Sequence, residues 1–356
     1  MIWRSQIQLS KEAIQLINQV YQLVSPRQFE VAYKNEDIYQ DQVVIRPLRM
    51  AVCAADQRYY TGSRDKNALD KKLPMALTHE GVGEVAFDNT NTFELGTKVL
   101  MVPNTPVEED ETVSENYLKS SQFRSSGLDG FMQDYVLMEP DRLVEIPESV
   151  DLDVMAYSEL VSVSWHAIQR FNAKAIEKRD SFGIWGDGNL GYITSVLLRQ
   201  LYPEARIYVF GKTDFKLNHF SFADETYDIN HIPDDLTIDH GFECAGGKGS
   251  QAALEQIVDH INPEGAVALL GVSEYPIEVN TRLVLEKGLT LIGSSRSSAQ
   301  DFADVVDLYQ QYPEVLEKLS ILKGKVFEIK QIEDISKVFE EDLNSTWGKT
   351  VVKWTL

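Results

Sequence analysis

The sequence predicts an α/β protein in which a doubly wound parallel sheet is joined to a second, β-rich domain. Three observations carry that expectation. The stretch Gly186-Asp187-Gly188-Asn189-Leu190-Gly191 lies between an apolar strand pattern and a helical one. From about residue 151 strand patterns alternate with helical ones, whereas residues 17–150 hold short strand patterns separated by turns. The length of 356 residues also exceeds what a single core usually serves.

Residues 1–16 read as a short amphipathic or frayed extension. In the β-rich part, Tyr21-Gln-Leu-Val, Val43-Val-Ile-Arg, Gly83-Glu-Val-Ala-Phe and Lys98-Val-Leu-Met-Val alternate or run apolar between turn residues. Glu108-Glu-Asp-Glu-Thr is an acidic, solvated loop. Beyond it, five runs read as parallel strands: the one ending Ile184-Trp185, then Ile207-Tyr-Val-Phe, Gly241-Phe-Glu-Cys, Ala266-Val-Ala-Leu-Leu and Leu289-Thr-Leu-Ile. Helical patterns such as Tyr192–Leu201 and Gly249–His260 lie between them. The final 55 or so residues hold two further helical patterns and a closing strand, Thr350-Val-Val-Lys-Trp. No internal repeat is evident.

Composition limits the function. Hydrophobic residues make up 43% and charged residues 25%, as in soluble globular chains. No apolar run approaches the ~20 residues a bilayer requires, and the N-terminus lacks the basic-then-apolar pattern of a secretory signal. Two cysteines, Cys53 and Cys244, cannot build a disulfide framework or a four-cysteine structural zinc site, which fits a reducing cytoplasm. A net charge of −21 argues against nucleic acid and anionic membranes. It also means that a phosphorylated ligand would need a local basic pocket.

Between a strand and a helix, the glycine stretch has a mechanism. Glycine permits the tight turn, backbone N–H groups approach a pyrophosphate, and the helix N-terminus faces the phosphates with its positive end. Gly186, Gly188, Asn189, Leu190 and Gly191 are therefore candidate cofactor-binding residues. An acidic residue about 20 positions further on usually binds the adenosine ribose. Here strand two ends in Gly211-Lys212-Thr213-Asp214-Phe215-Lys216. With no acid at Gly211 to repel a 2′-phosphate, and with Lys212 and Lys216 to attract it, the expectation is NADPH over NADH.

Metal candidates lie outside the nucleotide half. A thiolate (Cys53), an imidazole (His79) and carboxylates (Glu80, Glu159) with an open position make a catalytic zinc set. Their spacing is long and irregular, and a buried core cysteine beside a structural His-Glu pair is the competing reading. Substrate phosphate would need cations, for which Arg58 and Arg124 are the first candidates, followed by Arg296 and Lys349. His166, His219, His231, His240 and His260 lack ligand-type neighbours. Cys244 is expected to pack at a strand end near the cofactor.

Cys53-Ala-Ala-Asp56, His79-Glu80-Gly81-Val-Gly83-Glu84, Asp129-Gly130-Phe131, Gly186–Gly191, Glu243-Cys244-Ala245-Gly246 and Gly348-Lys349-Thr350-Val resemble the zinc-dependent medium-chain dehydrogenase/reductase superfamily, in order, from about residue 19. The resemblance implies a Rossmann NADP-binding domain (156–297) and a GroES-like catalytic domain (17–155 with 298–356). It also implies one catalytic zinc on Cys53, His79, Glu80 and Glu159, without a structural zinc.

Within the superfamily, Cys53–Gly62, Val102–Pro106, Phe123–Ser126, Ser181–Gly191, Gly271–Pro276 and Gly293–Arg296 look like the ribulose-5-phosphate reductases of wall teichoic acid synthesis. That likeness implies NADPH-dependent reduction of D-ribulose 5-phosphate to D-ribitol 5-phosphate, a homo-oligomer, and a ribitol-5-phosphate cytidylyltransferase as neighbour. The alternatives are an NAD-dependent polyol dehydrogenase acting on an unphosphorylated sugar, and a non-catalytic nucleotide-binding protein. One departure stands out. Ala55 occupies a position where the superfamily usually has a hydroxyl, so the proton route through that side chain is missing.

Overall fold

A computed structural model describes residues 14–356. The expected N-terminal extension therefore lies largely outside the described residues, and Ile14, Gln15 and Leu16 already belong to a strand, Ile14–Ser25. That strand pairs antiparallel along its length with Gln28–Ile38. The second strand begins with a short alternation, Phe29 and Val31 against exposed Gln28 and Glu30, that lapses into Lys34-Asn-Glu-Asp37, and the sequence reading did not single it out.

The larger sheet of the catalytic half runs in the order Leu143–Glu145, Lys98–Met101, Glu80–Asp88, Val43–Ala51, Lys349–Trp354, Lys323–Ile329, with Val136–Met138 also paired to Val43–Ala51. Val43, Ile45, Met50 and Ala51 are buried. The register slips between Pro47 and Arg49, where proline has no N–H to give the ladder. Two short helices, Ala54–Tyr60 and Lys66–Lys72, follow.

The nucleotide half holds six parallel strands rather than the five expected. Their order is Glu225–Asp228, Arg206–Gly211, Ser181–Trp185, His240–Glu243, Ala266–Leu269, Thr290–Gly293. The additional strand is a polar edge segment, Glu-Thr-Tyr-Asp. The order reverses at Ser181–Trp185, so a crevice opens at the carboxyl ends there.

Helix Ser158–Asn172 joins the halves, packing on helices Asn189–Leu201 and Ala299–Gln311. One hydrophobic cluster crosses the junction, uniting Ala51, Val82 and Leu100 with Tyr157, Val161 and Phe302. The last part of the chain is richer than expected. It has three helices, Ala299–Gln311, Pro313–Leu319 and Ile332–Leu343, and an additional strand, Lys323–Ile329. Among the described residues no helix is long and apolar enough to cross a membrane.

Candidate active site

A cavity of about 320 Å³ lies at the carboxyl ends of the parallel strands, walled by Gly186, Gly188, Gly211, Lys212 and Lys216 among others. Gly186 has φ +137°, and a Cβ there would come within 2.7 Å of the Cys244 backbone. Only glycine suits both constraints. Helix Asn189–Leu201 begins immediately after Gly188 with no side-chain cap, so its first N–H groups are left for a ligand anion. Gly191 contributes packing, since a Cβ would lie 1.9 Å from the Gly186 oxygen. Leu190 packs on the core. Asn189 turns away from the cleft: its amide accepts from Gly348 N (3.1 Å) and donates to Gly348 O (2.9 Å).

The opening expected at Gly211 is absent. A Cβ there would lie 2.5 Å from Asp187 Cβ and 2.7 Å from its Oδ2. Asp187 Oδ2 accepts hydrogen bonds from Lys212 N (2.8 Å) and Thr213 N (3.0 Å). The end of strand two thus carries a carboxylate after all, contributed from the glycine stretch. Gly211 is small because Asp187 fills its space. Lys212 and Lys216 are the cations that line the cavity beside it.

Behind the cleft, Trp185 stacks on Phe210 at 3.8 Å between centroids, and Phe210 stacks on Tyr227. Glu243 is buried and accepts from Ala245 N, Gly246 N and Gly271 N, fixing the opposite wall. Cys244 lines the same wall, and burial pushes its thiol well above the ordinary range, which leaves it unreactive.

The second pocket is assembled from side chains. Cys53 stands at the N-cap of helix Ala54–Tyr60. His79 precedes strand Glu80–Asp88, and Glu80 opens it. Ligand atoms of Cys53, His79 and Glu80 all lie within 4.8 Å of one another. Glu159, buried in the first turn of helix Ser158–Asn172, lies outside that trio but in its electrostatic field: burial pushes its carboxyl up to about 7, with Glu80 adding to the rise.

The donor set fits zinc. His79 Nδ1 and Glu80 Oε2 are buried without a hydrogen-bond partner, which is costly unless something else engages them. Burial disfavours positive charge on His79, yet Asp56 and Cys53 lift its pKa well above the usual imidazole value. The pocket is therefore a site for a cation.

Two buried residues to which the sequence reading gave no part in the metal pocket, Asp56 and Lys349, organise it. Asp56 accepts from Ser125 Oγ (2.7 Å), Cys53 N (3.1 Å) and Thr78 N (3.1 Å), and lies 3.6 Å from His79 Nδ1. Thr78 and Ser125 are both non-glycine residues at positive φ, +65° and +57°. A single carboxylate thus holds two strained turns beside the ligands. Its position three residues after Cys53 is the spacing of a helix-capping box and was the available signal. The second residue is Lys349, whose Nζ donates to Glu80 Oε1 at 2.7 Å with both groups buried. Burial opposes the Lys349 charge, but Glu80 holds its pKa above the lysine range.

Lys349 is therefore not available to a substrate phosphate. Nor is Arg124, which is half-buried and donates to the carbonyls of Leu137 (2.6 Å) and Asp129. Arg58 is ion-paired with Glu274. Arg296 differs from all three. It is half-buried, lies 4.9 Å over the Phe123 ring, and has no ion-pair or hydrogen-bond partner for its side chain among the described residues. Phe123 in turn lies 5.4 Å from the His79 ring.

Comparison with known proteins agrees with this geometry. Residues 39–148 match the alcohol dehydrogenase GroES-like domain. The chain is 66% identical over 341 residues to ribulose-5-phosphate reductase 1 of Staphylococcus aureus, spanning 96% of this chain and all of that protein. It is 60% identical over the same length to ribulose-5-phosphate reductase of Bacillus spizizenii. The crystal structure of S. aureus TarJ in complex with NADPH superposes with a TM-score of 0.87 at 61% identity, covering 96% of this chain and all of the other.

Proposed function

Because the chain belongs to the ribulose-5-phosphate reductases of the medium-chain dehydrogenase/reductase superfamily, we propose that it reduces D-ribulose 5-phosphate to D-ribitol 5-phosphate with NADPH. The product would serve CDP-ribitol and teichoic acid synthesis. The observation that carries this reading is the adjacency of the two sites. Gly348 is clamped to Asn189 at the cofactor helix, and the next residue, Lys349, is paired with Glu80.

In this reading Gly186, Gly188 and the first turn of helix Asn189–Leu201 seat the pyrophosphate, and Lys212 with Lys216 seat the 2′-phosphate. Cys53, His79 and Glu80 would hold the zinc, with Glu159 as an exchangeable fourth ligand. Zinc bound there supplies Lewis acidity to the C2 carbonyl oxygen as hydride arrives from NADPH. Lys349 fixes Glu80 Oε1 and leaves Oε2 turned to the trio. Asp56 fixes the backbone at Cys53 and Thr78. Since Ala55 has no hydroxyl, Glu159 is the group left to hold the proton that the reduced oxygen takes up. Arg296, at the rim beside Phe123, takes the C5 phosphate.

The division into a catalytic part (17–155 with 298–356) and a nucleotide part (156–297) belongs to the same proposal, as does a cytoplasmic location. A homo-oligomer is supported by the edge strand Thr290–Gly293, which has no partner on its outer side among the described residues, and by exposed Leu285 and Leu291. Association with a ribitol-5-phosphate cytidylyltransferase follows from the product alone. The test is NADPH oxidation with ribulose 5-phosphate before and after zinc chelation. Turnover should be lost with the metal and return with it. Undiminished turnover after verified zinc removal overturns the mechanism, and preference for an unphosphorylated sugar with NAD overturns the substrate.

A further inference from the structure

We infer that His166, a buried histidine on the helix that also carries Glu159, is a positioning residue that holds Arg296 ready for the substrate's phosphate. The inference rests on the reading of Arg296 given above and deepens it. Arg296 is a non-glycine residue at φ +59°, a left-handed conformation that persists only where its surroundings impose it.

The supports are found on either side of Arg296 and not at its own side chain. Ser295 O accepts from Asn116 Nδ2 (3.0 Å), and Ser295 N donates to Tyr117 Oη (3.4 Å). Ser297 Oγ is 2.7 Å from Ser162 Oγ. Ser298 N and Oγ both donate to Asp301 Oδ2 at 2.7 Å.

His166 joins these supports. Its Nδ1 lies 2.9 Å from Asp301 Oδ2, and its Nε2 lies 3.1 Å from Asn116 Nδ2 and 3.0 Å from Tyr117 Oη. Asn116 Nδ2 can only donate, so Nε2 accepts and the proton sits on Nδ1, directed at the carboxylate. One imidazole thus ties the residues that grip Ser295 to the carboxylate that grips Ser298. Glu159 precedes His166 by seven positions, two helical turns along the same face. The helix therefore carries a pocket carboxylate at one level and the anchor of the phosphate arginine at the next, which suits a ketose phosphate whose reacting carbon and anionic end lie apart.

The test uses the full-length, zinc-loaded protein and reads kcat, KM for ribulose 5-phosphate and KM for NADPH. His166→Leu, and the gentler Tyr117→Phe, should raise KM for ribulose 5-phosphate, His166→Leu on the order of tenfold. The values of kcat and of KM for NADPH should stay within about twofold, and His166→Gln, which keeps a donor and an acceptor, should restore much of the loss. In an Arg296→Met background, His166→Leu should add nothing further. If Arg296→Met leaves KM for ribulose 5-phosphate unchanged, the phosphate reading of Arg296 falls and the inference falls with it. If Arg296→Met raises it while His166→Leu and Tyr117→Phe do not, the inference alone is overturned. A His166→Leu effect of equal size in both backgrounds, or one that falls equally on NADPH, also overturns it.

Discussion

In the nucleotide cleft the candidate ligand-binding groups are backbone N–H donors and two lysines, drawn mostly from one stretch of chain. In the metal pocket they are side chains from four separate segments, around residues 53, 79, 159 and 349, enclosed and mutually charged. The carboxylates differ accordingly. Burial raises Glu80 and Glu159 in the pocket. In the nucleotide half, burial also works against the charge of Asp239, but Lys178, Asn262 and the Asp180 N–H together hold its pKa below the usual value. A site made of backbone tolerates side-chain change, whereas a site made of coupled buried charges does not.

The sharpest way to break this contrast is Cys53→Ser. It should lower kcat/KM for ribulose 5-phosphate by about 10³-fold or more while leaving NADPH affinity, read by fluorescence titration, unchanged. Equal losses in both would mean the two sites are not separable. Lys349→Met, which strands Glu80 as a buried unpaired carboxylate, should cost about 3–5 kcal/mol in urea unfolding. Adding Glu80→Gln should recover part of it, and a cost below about 1 kcal/mol would show that the pair does not hold the pocket.

On the other side, Lys212→Ala with Lys216→Ala should raise KM for NADPH roughly tenfold, a modest figure because both ammonium groups are partly solvated. KM for NADH should not follow. A parallel rise in both removes the lysines from cofactor choice. The smallest effect concerns pH. The folded-state pKa of Asp239 is depressed, so its stabilisation is present above the unfolded value of ~4 and is lost as pH falls through the folded one. Asp239→Asn should flatten that acid limb; an unchanged limb would place the acid sensitivity elsewhere.

The same contrast explains what was legible. Gly186–Gly191 is contiguous and its spacing encodes a backbone shape, so it announced both a fold and a ligand class. Cys53, His79, Glu80 and Glu159 could be named as a zinc set from their chemistry, but their irregular spacing gave that set little weight until the resemblance was added, because their proximity is made by the sheet and the junction helix. Spacing alone also misassigned cations. Arg124 and Lys349 read as free charges, yet one serves backbone carbonyls and the other a carboxylate 269 residues away. Gly211 read as an opening because the residue that fills it, Asp187, lies on another strand end. The missed strand Gln28–Ile38 alternates only over its first residues and Glu225–Asp228 is a short, mostly polar edge, so pairing more than periodicity makes them strands.

Strand Lys349–Trp354 lies inside the catalytic sheet, with Val351 opposite Ala51, three hundred positions apart in sequence. Until it arrives, Val43–Ala51 and Lys323–Ile329 present unpaired edges toward each other, and such edges invite wrong partners. Closing so long a loop is slow unless the intervening chain is already compact. Assembly should therefore proceed from the parallel sheet outward, with the sequence-local nucleotide half forming first and drawing the two edges of the antiparallel sheet together. Early misfolding should concentrate at that seam.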